Sequence, residues 1–280
     1  MATPPSTTNL RVPRFPHEIF EFIIDFIGYD EYDGRVEWLH WCSLVCSSWE
    51  YRARPHLLRV VRLGNTRHVE SLHQALLQKP HYRPLIRTLK FRFPRRDHLS
   101  TKPRLARDAF DNLSTVWFSE AISKIPRLLP NLYKLEFHRL PSFDIIQSEL
   151  PRFCRRFGNI RSLRLGHLTE QTFYQIVHII NEIRGLRSVE ISDCSWEQFG
   201  RVHPFQQRRL SEVYLDLRPD FEGAISAWMI QSDSLSALRS LTWWSYKESR
   251  DQISRILKCC EQTLREATMT IYIPEGQLRE

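Results

Sequence analysis

The chain has 280 residues, enough to bury a substantial core as one extended domain or two compact ones. Its 42% hydrophobic and 26% charged residues are those of an ordinary folded protein and exclude a disordered chain. The net charge of +8 raises the question of nucleic acid. Basic clusters stand at Arg95, Arg96, Lys102, Arg104 and Arg107, and at Arg152, Arg155, Arg156, Arg161 and Arg164, interleaved with acids such as Asp97 and Asp108. A phosphate surface needs its cations collected on one face. Solvated faces are the simpler reading, and nucleic acid is not the expected partner.

Residues 1–11 are rich in Pro, Thr and Ser and read as a disordered leader. They contain no apolar run of the kind a signal peptide carries, and no later segment approaches the about 18 uncharged apolar residues of a membrane span. The expected setting is the cytoplasm or nucleus, without membrane contact. Six cysteines, at Cys42, Cys46, Cys154, Cys194, Cys259 and Cys260, lack the paired spacings of a zinc site. They read as buried, reduced thiols, and no metal or cofactor is expected.

The stretch RFPHEIFEFIIDFI, Arg14 to Ile27, predicts a helix started by Pro16. At about 100° per residue from Ile19, Ile23 falls at about 40°, Ile27 at about 80°, Phe20 at about 100° and Ile24 at about 140°. Phe22 and Phe26 fall at about 300° and about 340°. The apolar arc spans about 200°, twice what an ordinary surface helix buries. A second surface must cover the surplus. The helix should end near Gly28, before the polar turn GYDEYDGR. Helical spacing then resumes with Leu39, Leu44, Val45, Trp49 and Ala53 until Pro55 stops it. Three short helices fit this space.

From about Leu85 the texture becomes an internal repeat: LIRTLKF, NLYKLEF, NIRSLRL, GLRSVEI, RLSEVYL and ALRSLTW. Each has an apolar residue, two variable ones, a second apolar, one variable and a third apolar. The second anchors are Leu89, Leu135, Leu163, Val189, Val213 and Leu241, at steps of about 46, 28, 26, 24 and 28 residues. After the long first interval, expected to hold an irregular extra unit around LSTVWFSEAISKI, the step stays within that of leucine-rich repeats. Helix-like stretches lie between anchors: TEQTFYQIVHIINEI, FEGAISAWMIQ and ESRDQISRILKCC. Strand then helix, repeated, predicts an α/β solenoid whose units cover each other. The segment QTLREATMTIYIPEGQLRE reads as one further strand without a polar closing cap.

The N-terminal pattern, Phe15, Pro16, Glu18, Ile19, Ile23, Ile24, Leu44, Val45, Cys46 and Trp49, resembles an F-box over roughly Val12 to Leu63. Phe15 stands where the family has Leu, and the loop YDEYDGRVEW is longer than typical. The expected organisation is thus an α/β chain in three parts: leader 1–11, the three-helix F-box of the resemblance at 12–63, and an irregular leucine-rich-repeat solenoid at 64–280. The resemblance implies an adaptor of the Skp type, and through it cullin and RING subunits, docked on Phe15, Pro16, Ile19, Ile23, Ile24, Leu44, Val45 and Trp49. The other reading packs Phe20, Phe22 or Ile24 against the solenoid.

Strand alternation puts the residues before, between and after the second and third anchors on the outer face. Those residues begin basic, turn mixed and end acidic and aromatic, which suits a protein target. Arg164, Tyr214 and Trp244 are of the types that dominate interfaces. Three residues past the third anchors Phe137, Leu165, Ile191, Leu215 and Trp243, where the family has Asn or Cys, stand Leu140, Leu168, Cys194, Arg218 and Tyr246. Only Cys194 conforms. There is no glycine-rich phosphate loop, no Gly-x-Ser-x-Gly and no His-Glu-x-x-His, and the histidines are scattered, so no enzyme is expected. The alternative is a binding protein acting outside ubiquitination, one form of which holds nucleic acid through the basic clusters.

Overall fold

The computed structural model describes residues 16–29, 34–93, 116–139, 149–150, 153–167, 173–194, 209–217, 222–231, 234–245 and 250–271. The leader and Phe15 lie outside these, as do Leu140, Leu168, Arg218 and Tyr246 and the basic cluster from Arg95 to Arg107. The chain divides into two compact units, Met1–Arg59 and Val60–Glu280. The division falls four residues ahead of the expected one, because Val60–Leu63 form a strand of the second unit.

Among its described residues the first unit contains three helices: α1 (His17–Tyr29), α2 (Arg35–Ser43) and α3 (Ser47–Arg59). Pro16 stands just ahead of α1 and its carbonyl accepts the Ile19 N–H at 3.1 Å, the role its fixed φ and missing N–H suit it for. Pro55 does not stop α3, which runs on to Arg59. One backbone hydrogen bond is lost there, while Ala53 is buried and Leu57 packs on the unit's core, so burial holds the helix through the proline. That core is small, consisting of Ile24, Leu39 and Ala53 with Ile27, Cys42, Trp49 and Leu57 packed around it.

The second unit is an α/β structure on one eight-stranded sheet. Its strands are β1 (Val60–Leu63), β2 (Thr88–Arg92), β3 (Lys134–His138), β4 (Ser162–Gly166), β5 (Ser188–Cys194), β6 (Glu212–Leu217), β7 (Ser240–Ser245) and β8 (Glu266–Ile271). Every pairing is parallel and the spatial order is the chain order. The sequence anchors fall in register: Leu89, Leu135, Leu163, Val189, Val213 and Leu241 are successive partners across β2 to β7. All are buried, as are the first anchors Ile86, Leu132, Ile160, Leu186, Leu210 and Leu238 and the third anchors Phe91, Phe137, Leu165, Ile191, Leu215 and Trp243.

Helices run between strands and cover the anchor side, since a parallel crossover needs a return path. One is α4 (Thr66–Gln78), whose Asn65 cap accepts the His68 N–H at 2.9 Å. Others span Phe173–Glu182, Glu222–Gln231 and Arg250–Cys260, each within a stretch read as helix-like. The long interval after β2 adds no strand between β2 and β3, which pair directly. Its described residues 116–124 are helical and sink Trp117, Phe118, Ala121 and Ile122 into the core. They close an aromatic cluster in which Phe91 stacks on Phe137 at 5.1 Å and meets Phe118 and Phe153 edge-on at 5.4 and 5.3 Å.

Candidate functional site

In the first unit, α1 turns one side of its apolar arc inward and the other outward. Ile24 is 1% exposed and belongs to the unit's core with Leu39 and Ala53. Phe20 lies against Trp49, ring centroids 4.8 Å apart. On the opposite side Phe22 is 70% and Phe26 68% exposed, with Ile19 and Ile23 nearly half exposed. The arc's inner part, from Ile27 to Ile24, satisfies the unit itself. Its outer part has no cover among the described residues.

The residues of the expected docking set fall on both sides of the module. Ile24 is spent inside the module, because its angular position on α1 faces α2 and α3, and Trp49 is half-buried against Phe20. Ile19, Ile23 and Pro16 are exposed. Leu44 and Val45 also stand out, at 64% and 61% exposure. They occupy the turn between α2 and α3, where their N–H groups reach Trp41 O and Cys42 O at 3.1 and 3.2 Å. Trp38 and Trp41 on α2, not anticipated from the sequence, are exposed as well. Their spacing places them away from Leu39, the residue of α2 that is buried.

Polar contacts link α1 to α3. Asp25 takes the guanidinium of Arg52 and His56 Nε2, the latter at 2.9 Å. The hydrogen bond from Arg52 outweighs burial and, with His56, holds the Asp25 carboxyl below its ordinary range. The His56 ring lies so close to Gly28 that a Cβ there would come within 2.1 Å of Nδ1. A hydrogen bond of 2.7 Å joins His17 and Ser48 near the other end.

On the second unit the outer face of the sheet carries the expected residues in rows. One row runs Lys90, Glu136, Arg164, Glu190, Tyr214, Thr242 across β2 to β7. The next holds Arg92, His138, Gly166, Ser192, Asp216 and Trp244. Arg164 and Tyr214 thus share a row, with Glu190 between them, and Trp244 stands in the neighbouring row beside Asp216. Arg164 is half-buried and paired with Glu190 at 3.0 Å, Tyr214 is half-buried, and Trp244 is 43% exposed.

Glu136 is the electrostatic centre of this face, buried at 2% exposure among Lys90 at 2.8 Å, Lys134 at 3.1 Å and His138 at 3.7 Å. Burial by itself would push its carboxyl up. The neighbouring His138, Lys134 and Lys90 together overcome that and hold it far below the usual carboxylate range. Charge on the outer face is therefore largely paired within the face.

The second basic cluster of the sequence does not form one surface. Arg155 pairs with Glu182, Arg156 donates to Ile122 O at 2.8 Å, Arg161 donates to Gly185 O at 3.2 Å, and Arg164 lies on the outer sheet face. Arg152 lies outside the described residues. Of the thiols, Cys154 and Cys260 are buried, Cys42 half-buried, and Cys46 and Cys259 exposed, against the expectation of buried thiols; all five are free. The side chain of Cys194 lies outside the described residues, although its backbone ends β5.

Among the described residues no group of three or more His, Cys, Asp or Glu side chains is placed to hold a metal ion. No helix there is long and apolar enough to cross a membrane. A cleft of about 140 Å³ opens beside Ser226, Ile230 and Arg255, smaller than the roughly 300–1,000 Å³ of small-molecule sites. Among the described residues, the apolar surface of the first unit and the outer sheet face of the second are thus the candidate surfaces.

No family model matches the chain, and no curated protein matches it. Among solved structures it is similar to a mutant of the Thermobaculum terrenum O-GlcNAc hydrolase, at 9% identity and a TM-score of 0.29. That match covers 88% of this chain and 61% of the hydrolase chain. A likeness so slight transfers neither fold nor activity.

Proposed function

We propose that the chain is a substrate-recognition subunit of a cullin-RING ubiquitin ligase of the SCF type, working in the cytoplasm or nucleus. In this reading the first unit is an F-box that docks a Skp-type adaptor, which joins it to cullin and RING subunits. The second unit is an irregular leucine-rich-repeat solenoid that holds a target protein on its outer face. The chain itself catalyses nothing. It brings a target close to the transferring machinery, and proximity lowers the barrier.

One observation carries the reading: the uncovered apolar side chains of a small helical unit, at Ile19, Phe22, Ile23 and Phe26 on α1 and at Leu44 and Val45 in the following turn. Burying one such side chain is worth about 1.5–3 kcal/mol, and large exposed apolar patches mark interaction sites. Four of the exposed positions, Ile19, Ile23, Leu44 and Val45, are ones that the F-box resemblance assigns to the adaptor. For the target side, the support is an in-register outer face with Tyr214 and Trp244 near one another, aromatic anchors of the kind interfaces favour.

The test is co-purification with a Skp-type adaptor. The native chain is expected to capture it in equal amounts, and a Pro16→Ala, Ile19→Asp, Ile23→Asp variant to lose it while its circular dichroism is unchanged. A well-folded native chain that captures no adaptor would overturn the proposal.

A further inference from the structure

One register position of the second unit is absorbed neither by its core nor by its outer face. The residue after each first anchor, immediately ahead of each strand from β2 to β8, is Arg87, Tyr133, Arg161, Arg187, Ser211, Arg239 and Arg265. The backbone draws these residues into one line along the edge where the strands begin. The carbonyl of each, from Arg87 to Arg239, accepts two N–H groups from the next unit. Arg161 O takes those of Arg187 and Ser188 at 2.8 and 2.9 Å, and Arg239 O those of Arg265 and Glu266 at 2.8 and 3.0 Å. With strands about 4.8 Å apart, the line from Arg87 to Arg265 runs about 29 Å.

All five arginines are exposed. Other arginines of the chain are neutralised where they stand: Arg52 by Asp25, Arg155 by Glu182, Arg164 by Glu190. Along this edge, among the described residues, no carboxylate pairs with Arg87, Arg161, Arg187, Arg239 or Arg265. Arg161 is steered by the Gly185 carbonyl, and a Cβ at Gly185 would overlap its guanidinium at 1.6 Å, so that glycine keeps the path of the side chain open. Glu212 and Glu266 stand one position on, at the start of the outer face, and pair with none of the five. Like charges on adjacent strands repel, so the line gains stability from an anion laid across it.

We infer that this edge binds an extended acidic peptide segment, running across β2 to β8 with its carboxylates on the guanidinium forks. An extended chain rises about 3.3 Å per residue, so about nine residues match the line. Guanidinium engages carboxylate through paired hydrogen bonds, which favours arginine over lysine at such positions. Single-stranded nucleic acid is the poorer fit, because its binders interleave aromatic platforms with the cations and this line holds one ring, Tyr133. The inference deepens the receptor reading by giving the target a chemistry, and it rests on that reading only in regarding the bound segment as part of a target. Peptide binding is measured without adaptor, so either can fail alone.

The experiment is fluorescence anisotropy on the full chain with three labelled probes: a twelve-residue Glu-Ser repeat, its Gln-Ser counterpart, and a single-stranded oligonucleotide of twelve bases. The native chain is expected to prefer the Glu-Ser peptide to both. Arg187→Gln with Arg239→Gln and Arg265→Gln is expected to weaken that binding about tenfold or more. A control removing equal charge elsewhere, Arg67→Gln with Arg255→Gln and Lys258→Gln, is expected to change it less than about threefold. If circular dichroism finds the first triple unfolded, Arg187→Gln and Arg239→Gln are measured singly, each expected to cost about threefold. Equal loss in both triples, tighter binding of the oligonucleotide, or no binding of the Glu-Ser peptide by the folded native chain would each overturn the inference.

Discussion

The two units use their apolar residues in opposite ways. The second unit seals most of its large ones: Phe91, Phe118, Phe137, Phe153 and Trp243 are all but inaccessible, while Leu77, Val116 and Trp244 are among the few left exposed. The first unit buries Ile24, Leu39 and Ala53 and leaves Phe22, Phe26, Trp38, Trp41, Leu44 and Val45 largely outside. The difference follows from size. A parallel sheet lets each strand-and-helix unit cover the next, whereas three helices of 13, 9 and 13 residues cannot enclose a core that accommodates so many large side chains. On the proposed reading a partner completes such a unit, and its exposed residues form an interface rather than faults in folding.

The sharpest way to break this comparison is to truncate one phenylalanine on each side. Phe137→Ala removes a ring stacked on Phe91 at the centre of the sealed cluster and is expected to cost about 3–5 kcal/mol of the second unit's stability. Phe26→Ala should cost about 0.5 kcal/mol or less in the isolated chain, yet weaken adaptor capture. Denaturant titration of both variants checks the first statement and co-purification the second. Equal destabilisation would erase the distinction between core and interface.

Glu136→Gln tests the charged face that covers the second unit. It leaves Lys90 and Lys134, both mostly buried, without their carboxylate, and a loss of about 3 kcal/mol is expected. Because the folded state holds the Glu136 carboxyl well below its unfolded value, its contribution is complete above the unfolded titration at about pH 4.3. It is lost as pH falls through that range towards the folded value. The native chain should therefore lose stability on acidification in this window more steeply than the Gln variant, as followed by denaturant midpoints at each pH.

In the first unit, Gly28→Ala forces a methyl group into the His56 ring and is expected to cost about 2 kcal/mol. Asp25→Asn, which weakens the junction with Arg52 and His56 but keeps the packing, should cost about 1 kcal/mol. Thermal melts that rank Gly28→Ala above Asp25→Asn would confirm that close packing, more than the surface charge network, holds α1 to α3.

Much of the sheet could be read before any coordinates. Strand side chains alternate with period two, so three anchors per unit predicted six strands, their buried side and the partners Leu89, Leu135 and Leu163. The seventh, β8, is legible as one further strand. β1 is masked in the sequence, although LRVVRL repeats the pattern of IRTLKF with Val61 standing 28 residues before Leu89, because it follows α3 without a break and so reads as the tail of the helical module.

The sequence by itself determined which residues must be apolar together: the anchors at their step, and a helix with more apolar surface than one face needs. Tertiary structure alone decided how that surplus divides. Angular spacing measures the width of an arc, but only the placement of α2 and α3 turns Ile24 inward and leaves Phe22 and Phe26 outside. The arginine edge has the same origin. Arg161, Arg187, Arg239 and Arg265 are far apart along the chain and become neighbours or near neighbours only when parallel strands lock in register, because charge, unlike hydrophobic period, has no local pattern that announces which face it will share.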